Sequence, residues 1–183
     1  ADAGAFVAIA HPHWYQLQPQ DGADLDAAHA VEVYNHTSAV HCDRGDGAVF
    51  LDAMLSEGRR LMAVAVDDSH WKNGDAFGGW VMVKAEANDP ELLLAALKDG
   101  AFYATQGPEL HDVTVDGEAL AVACSPVARV IVQGTGSAAI AQHGTDMTGA
   151  EFDLARFADS PWLRVTVADA AGRRAWCAWT PRR

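Results

Sequence analysis

The apolar run from Leu61 to Val66 stops abruptly at Asp67, Asp68, Ser69 and His70, in the stretch VAVDDSHW. Two acids and a histidine at the end of a buried strand cost free energy unless something compensates them. On an extended chain Asp68 and His70 project to the same side. A carboxylate beside an imidazole suits a hard or borderline divalent cation such as Mn²⁺, Zn²⁺ or Fe²⁺. The competing reading is a turn-capping Asp68 and an exposed loop His70, because Asp-x-His is a short pattern.

A second histidine stands in IAHPHW. His11 follows an apolar strand, and Pro12 ends regular pairing there. His11 is either a metal ligand or a strand-edge histidine bonded to a backbone carbonyl. His13 faces either substrate or solvent. Glu32, inside VEVYN, needs a partner if buried. It serves either as an acceptor that orients a ligating histidine or as the partner of an arginine. Arg44, in HCDRGDG, is suited to bidentate phosphate contact or stands solvated. Asp67 joins Glu32, His13 and Arg44 as a residue placed to support the ligands or touch substrate.

Other chemistries find less support. Cys42 has His41 beside it, but neighbours in sequence do not make a nucleophile and its base. There is no Gly-x-Ser-x-Gly elbow and no phosphate-cradling glycine loop. His29, His36, His41, His111 and His143 have no informative spacing. The paired glycines of DAFGGW predict a tight turn or a close backbone approach.

The elements that must position these residues read as follows. FVAIA is a strand ending at His11, AVEVYN one ending at Asn35, LMAVAV one ending at Asp67, and GGWVMVKA a fourth. GAVFLDAMLSEGRR has helical spacing, with Val49, Phe50, Met54 and Leu55 on one face and Gly58 past its end. DPELLLAALKDG is a helix with Asp89 as N-cap, Pro90 in its first turn and Gly100 beyond its end. Alternating strands and helices indicate α/β with a parallel sheet. The candidate residues follow strand C-termini, where such folds build their sites. From about His111 the helices stop. HDVTVDG, ALAVACS, ARVIVQG, EFDLARF and WLRVTVADAAGRRAWCAW predict a small antiparallel sandwich or partial barrel. TQGPEL is the joint, dividing the chain into 1–108 and 109–183.

The chain has 183 residues, half of them hydrophobic, so a real core is within reach. A net charge of −12 argues against a nucleic-acid duplex or an anionic membrane surface as partner. No apolar run approaches the roughly 18 residues that span a bilayer. The start, ADAGAFVAIAHP, lacks an initiator Met and shows no signal peptide, which suggests a segment preceding Ala1. Cys42, Cys124 and Cys177 are odd in number and dispersed, as in a cytoplasmic protein with reduced thiols.

Taken in order, AHPHW, EVYN, LDAMLSEGRRLMAVAVDDSH, GGWVMVKA and LKDGAFYATQGPEL resemble the PHP family, the polymerase and histidinol phosphatase metal-dependent phosphoesterases. The chain looks most like the stand-alone bacterial members with a small β-domain after the PHP fold, and SPWLRVTVADAAGRRAWCAW resembles the end of that domain. The resemblance implies the C-terminal part of a distorted (β/α)7 barrel followed by a small antiparallel β-domain. It implies two or three Mn, Zn or Fe ions at the strand C-termini and a metal-activated water attacking the phosphorus of a small phosphorylated substrate. The family's His-Pro histidine matches His11, and its Asp-x-His pair matches Asp68 and His70. The family's early His-x-His and further His and acidic ligands have no counterpart here. The chain is therefore expected to begin about half way through the PHP domain, and to associate with the missing segment or another chain. Two alternatives stand beside a hydrolase. One is a metal-dependent amidohydrolase-type reaction on similar ligands. The other is a non-catalytic fragment or binding module presenting Trp162, Trp176 and Trp179, although aromatics in such sheets belong more often to the core.

Overall fold

The computed structural model describes residues 4–72, 74–177 and 180–181. Three short strands form a parallel sheet in the order β1 (Ala8–Ile9), β2 (Ala30–Asn35) and β3 (Met62–Val66). Between them lie four helices: α1 (Pro12–Tyr15), α2 (Pro19–Ala23), α3 (His36–Cys42) and α4 (Ala48–Ser56). The fold is mixed α/β, as expected. The parallel sheet, however, stops at three strands.

The fourth expected strand, β4 (Trp80–Val83), pairs antiparallel with β5 (Phe102–Thr105), and β5 pairs antiparallel with β10 (Arg174–Cys177). These join β6 (Leu110–Asp116), β7 (Ala119–Gln133), β8 (Ala139–Asp153), β9 (Trp162–Ala168) and β11 (Thr180–Pro181) in one eight-stranded sheet, which curls into a half-barrel. The sheet thus draws β4 and β5 from before residue 109. Local alternation identifies a strand but not its partner. α5 (Pro90–Lys98) is followed within four residues by β5, and the chain turns back on β4 rather than crossing over.

Helix ends follow the sequence. The Asp89 side chain accepts from the amides of Glu91 and Leu92 at the start of α5. Past α4, Gly58 has φ +89°, and bonds from Gly58 N to Leu55 O and from Arg59 N to Met54 O close the turn. The buried face of α4 differs by one residue from expectation. Phe50, Leu51, Met54 and Leu55 are inside, whereas Val49 is 81% exposed.

ALAVACS and ARVIVQG prove to be one strand, β7, with register shifts between Ala123 and Arg129 that accommodate Pro126. EFDLARF ends β8 at Asp153 and then forms a 3₁₀ turn over Ala155–Phe157.

One core lies inside the curled sheet, around Leu120, Val130, Phe157 and Val165. A second is shared by both sheets. Val31, Leu51, Met54, Leu61 and Ala63 of the parallel layer pack with Ala104, Trp162 and Trp176 of the antiparallel one. Trp162 and Trp176 are therefore core residues, 1% and 2% exposed, and form no binding face. Trp179 lies outside the described residues. Across the same seam Arg164 gives Nε and Nη2 to the two oxygens of Asp52 at 2.8 and 2.7 Å.

Candidate functional site

The C-terminal ends of β1, β2 and β3 open into a cavity of about 360 Å³. His11, Asp68 and His70 all line it, although 57 positions (68 − 11) separate the first two. Trp14 of α1 and Thr37, Ser38, His41 and Cys42 of α3 complete the wall.

His11 ends the first strand in a left-handed conformation, φ +29°, immediately before Pro12 opens α1. Its amide donates to Glu32 Oε2 at 2.6 Å, which fixes the turn. Its ring packs against Trp14 and Tyr15, with centroids 5.1 and 5.3 Å away. Nδ1 of His11 is buried and, among the described residues, is the one buried side-chain nitrogen or oxygen without a hydrogen-bond partner. The carbonyl-bonded strand-edge histidine is not what forms. A buried imidazole nitrogen left unpaired is costly, so the site must either hold something there or tolerate the cost.

Glu32 accepts from the backbone of His11, and among the described residues no arginine ion pair to it is seen. Its Oε2 also accepts from Asn35 Nδ2 at 3.0 Å. The same amide nitrogen reaches Asp68 Oδ2 at 3.2 Å, and Asn35 Oδ1 accepts from Ser38 N to cap α3. Asn35 is 1% exposed. One buried neutral amide therefore spaces two carboxylates, ties β2 to β3 and starts the helix.

Asp68 is left-handed too, at φ +52°. The extended alternation expected to align Asp68 and His70 is absent, and a bend at Asp68 brings both to the cavity instead. Thr37 secures the bend twice, from its amide to Asp67 O at 3.0 Å and from Oγ1 to Asp68 O at 2.8 Å.

The loop after β3 is held by two further acids. Asp67 accepts from the amides of Phe77, Gly78 and Gly79 at 2.6 to 2.9 Å. Its role is to fasten the DAFGGW segment, and it does not line the cavity. Asp75, which the sequence did not single out, is buried and accepts from Ser69 Oγ, His70 N and Lys72 N. Burial alone would push the Asp75 carboxyl up. The bonds from His70, Ser69 and Lys72 outweigh it and, helped by nearby His41, hold the carboxyl below the ordinary aspartate range. The paired glycines do allow a close approach. A Cβ on Gly78 would lie 2.1 Å from the His36 ring. That ring accepts or donates at 2.8 Å to Tyr34 Oη, whose pKa burial pushes up.

The two remaining candidates stand apart. His13 is exposed and lines a different cavity, of about 600 Å³, with Gln16, Phe50 and Ala53. Arg44 is exposed, gives Nη1 to Trp14 O at 3.4 Å and lines neither cavity.

The donors fit a cation in part. His11 Nδ1 is unsatisfied, and Asp68 and His70 line the same cavity. Among the described residues, no three His, Cys, Asp or Glu side chains stand together at ligating distance. Sequence reasoning named His41 and Cys42 only to set them aside as a nucleophile and its base, and did not place them at this cavity. Comparison with protein-family models, with curated proteins and with solved structures finds no match to this chain.

Proposed function

We propose that the chain is part of a metal-dependent hydrolase of phosphate esters, of the PHP type, with His11, Asp68 and His70 as cation ligands. The observation that supports it is that these three residues, singled out from two motifs far apart in sequence, line one cavity, and that the buried Nδ1 of His11 has no hydrogen-bond partner. In this reading the parallel strands are a portion of the larger PHP barrel, and the remaining donors belong to another segment or chain. A divalent cation held here supplies Lewis acidity and neutralises charge on phosphoryl oxygens.

The chain's own residues prepare the site. Glu32 fixes the backbone of His11, Asn35 fixes one oxygen of Asp68, and Asp75 fixes the backbone of His70. Each ligand is thus preset by a buried or half-buried polar partner, as metal sites require. The net charge of −12 favours a small phosphorylated substrate over a polyanion, because only the cavity need be positive. The dispersed cysteines favour the cytoplasm.

The test is metal content per chain, measured by mass spectrometry on purified protein beside a His70→Ala variant. Near-stoichiometric Mn, Fe or Zn that falls in the variant is expected. Absence of metal from both, after incubation with each ion, would overturn the reading.

A further inference from the structure

In a chain with 25 acidic residues against 13 lysines and arginines, a basic side chain that meets no carboxylate needs a reason. Arg129, on β7, is half-buried. Among the described residues its guanidinium has no hydrogen bond and no ion pair. A partly desolvated charge without a partner costs free energy.

The strand register shows what stands beside it. Arg129 is opposite His143 on β8 and opposite Ala168 on β9. Ala168 is in turn opposite Arg174 on β10. Directly opposed residues share a sheet face, so His143, Arg129, Ala168 and Arg174 form one row across these strands. Arg129 and His143 are immediate neighbours, with Cβ atoms about 5 Å apart. Arg174 starts two strand spacings away, roughly 10 Å, across the small side chain of Ala168. His143 is exposed and, like Arg129, has no side-chain partner among the described residues. Arg174 meets Asp46 at 3.5 Å in an exposed pair, of the kind that contributes little. Asp169, which follows Ala168, is taken by Arg173 at 2.7 Å. Arg129, His143 and Arg174 do not line the strand-end cavity.

We infer that this row binds the phosphoryl group of a small molecule, at a site separate from the cavity that holds His11. Arg129 and His143 donate to its oxygens, and Arg174 adds a second guanidinium from across Ala168. A carboxylate is satisfied by one guanidinium fork. A phosphoryl group offers three oxygens and up to two negative charges, and so uses the whole row. The net charge of −12 disfavours a long polyanion, whose further phosphates would meet an acidic surface. The inference does not rest on the cavity being a cation site.

Inorganic phosphate is the probe. It is titrated into the metal-free chain at physiological ionic strength, with phosphorus NMR line broadening and the melting temperature as readouts. Saturable binding that raises the melting temperature is expected in the parent. Arg129→Gln should weaken binding at least about tenfold. Arg129→Lys, which keeps the charge but not the fork, should weaken it too, and so should His143→Ala at its exposed position. These two variants keep the test sharp if Arg129→Gln does not fold. Arg173→Gln removes a neighbouring charge already paired with Asp169, and His11→Ala alters the strand-end cavity. Both should bind phosphate like the parent. No saturable binding by the parent, an equal loss in Arg173→Gln, or acetate bound as tightly as phosphate would overturn the inference. Loss in His11→Ala with Arg129→Gln unaffected would place phosphate in the cavity and overturn it as well.

Discussion

Backbone strain is distributed unevenly between the two sheets. Of the seven non-glycine residues with positive φ among the described residues, six lie between His11 and Phe77, around the parallel strands, and only Asp146 lies in the antiparallel sheet. Two of the six, His11 and Asp68, are candidate ligands. Such conformations cost about 1 kcal/mol or more each and persist where the surroundings over-determine them. The antiparallel region is regular by contrast. Every residue of β9 from Trp162 to Ala168 is buried, and its neighbours on both sides complete the ladder. The regular sheet shares a core with the parallel layer, while the strained, polar edge is held by its own hydrogen bonds to Glu32, Asn35 and Thr37.

The contact between the two regions is where the comparison is most easily broken. Arg164 on β9 and Asp52 on α4 form a two-pronged pair, with side chains 3% and 27% exposed. Asp52→Ala leaves a buried guanidinium without its carboxylate and is expected to cost about 3 kcal/mol. Denaturant unfolding measures it. Adding Arg164→Met should recover most of the loss, since the gap is then apolar on both sides. If the double variant is no better than the single one, the pair acts through more than charge.

Within the strained region the closest contact is Gly78 against His36. Gly78→Ala places a methyl group 2.1 Å from the ring and should cost about 1–3 kcal/mol. The cost should largely vanish in a His36→Ala background. A full cost in both backgrounds would locate the strain in the loop backbone instead.

These residues also show what the sequence disclosed. His11, Asp68 and His70 were legible because each ends an apolar run, and strand ends on one sheet edge converge. The caps of α5 were legible because Asp89 and Gly100 act within a turn of themselves. The pairing of β4 with β5 was not, because strand pairing is decided by distant partners. Nor was the continuity of β7, where Pro126 reads as a break but is absorbed in a bulge. Asp75 escaped notice because its three donors are brought to it by the folding of the loop.

Asp75 gives a pH signature that separates the two regions. Its carboxyl is held low in the folded state, so its contribution to stability is fully present above the ordinary aspartate value, about pH 4. It is lost as pH falls through the lower, folded value. Asp75→Asn should be the less stable protein at neutral pH and should show a flatter loss of stability on acidification below about pH 4. Hydrogen exchange of the 67–79 loop should rise in the variant while β7 and β9 stay protected. Equal loosening of those strands would mean the loop is not an independent unit.

The smallest expected change in stability carries the sharpest contrast. Asp68→Gly removes the left-handed strain of a residue with a Cβ, worth about 1 kcal/mol, and also removes the hydrogen bond to Asn35. The two terms nearly cancel, so the melting temperature should barely move or should rise slightly. Cation binding should nevertheless be lost, since the carboxylate goes with the strain. Asp146→Gly, in the antiparallel sheet, relieves a similar conformation and should leave binding untouched. A residue kept in a costly conformation, whose removal leaves the fold intact but abolishes binding, is held there for the site. Should Asp68→Gly unfold the protein instead, its strain belongs to the architecture, and the carboxylate's place in the cavity follows from packing alone.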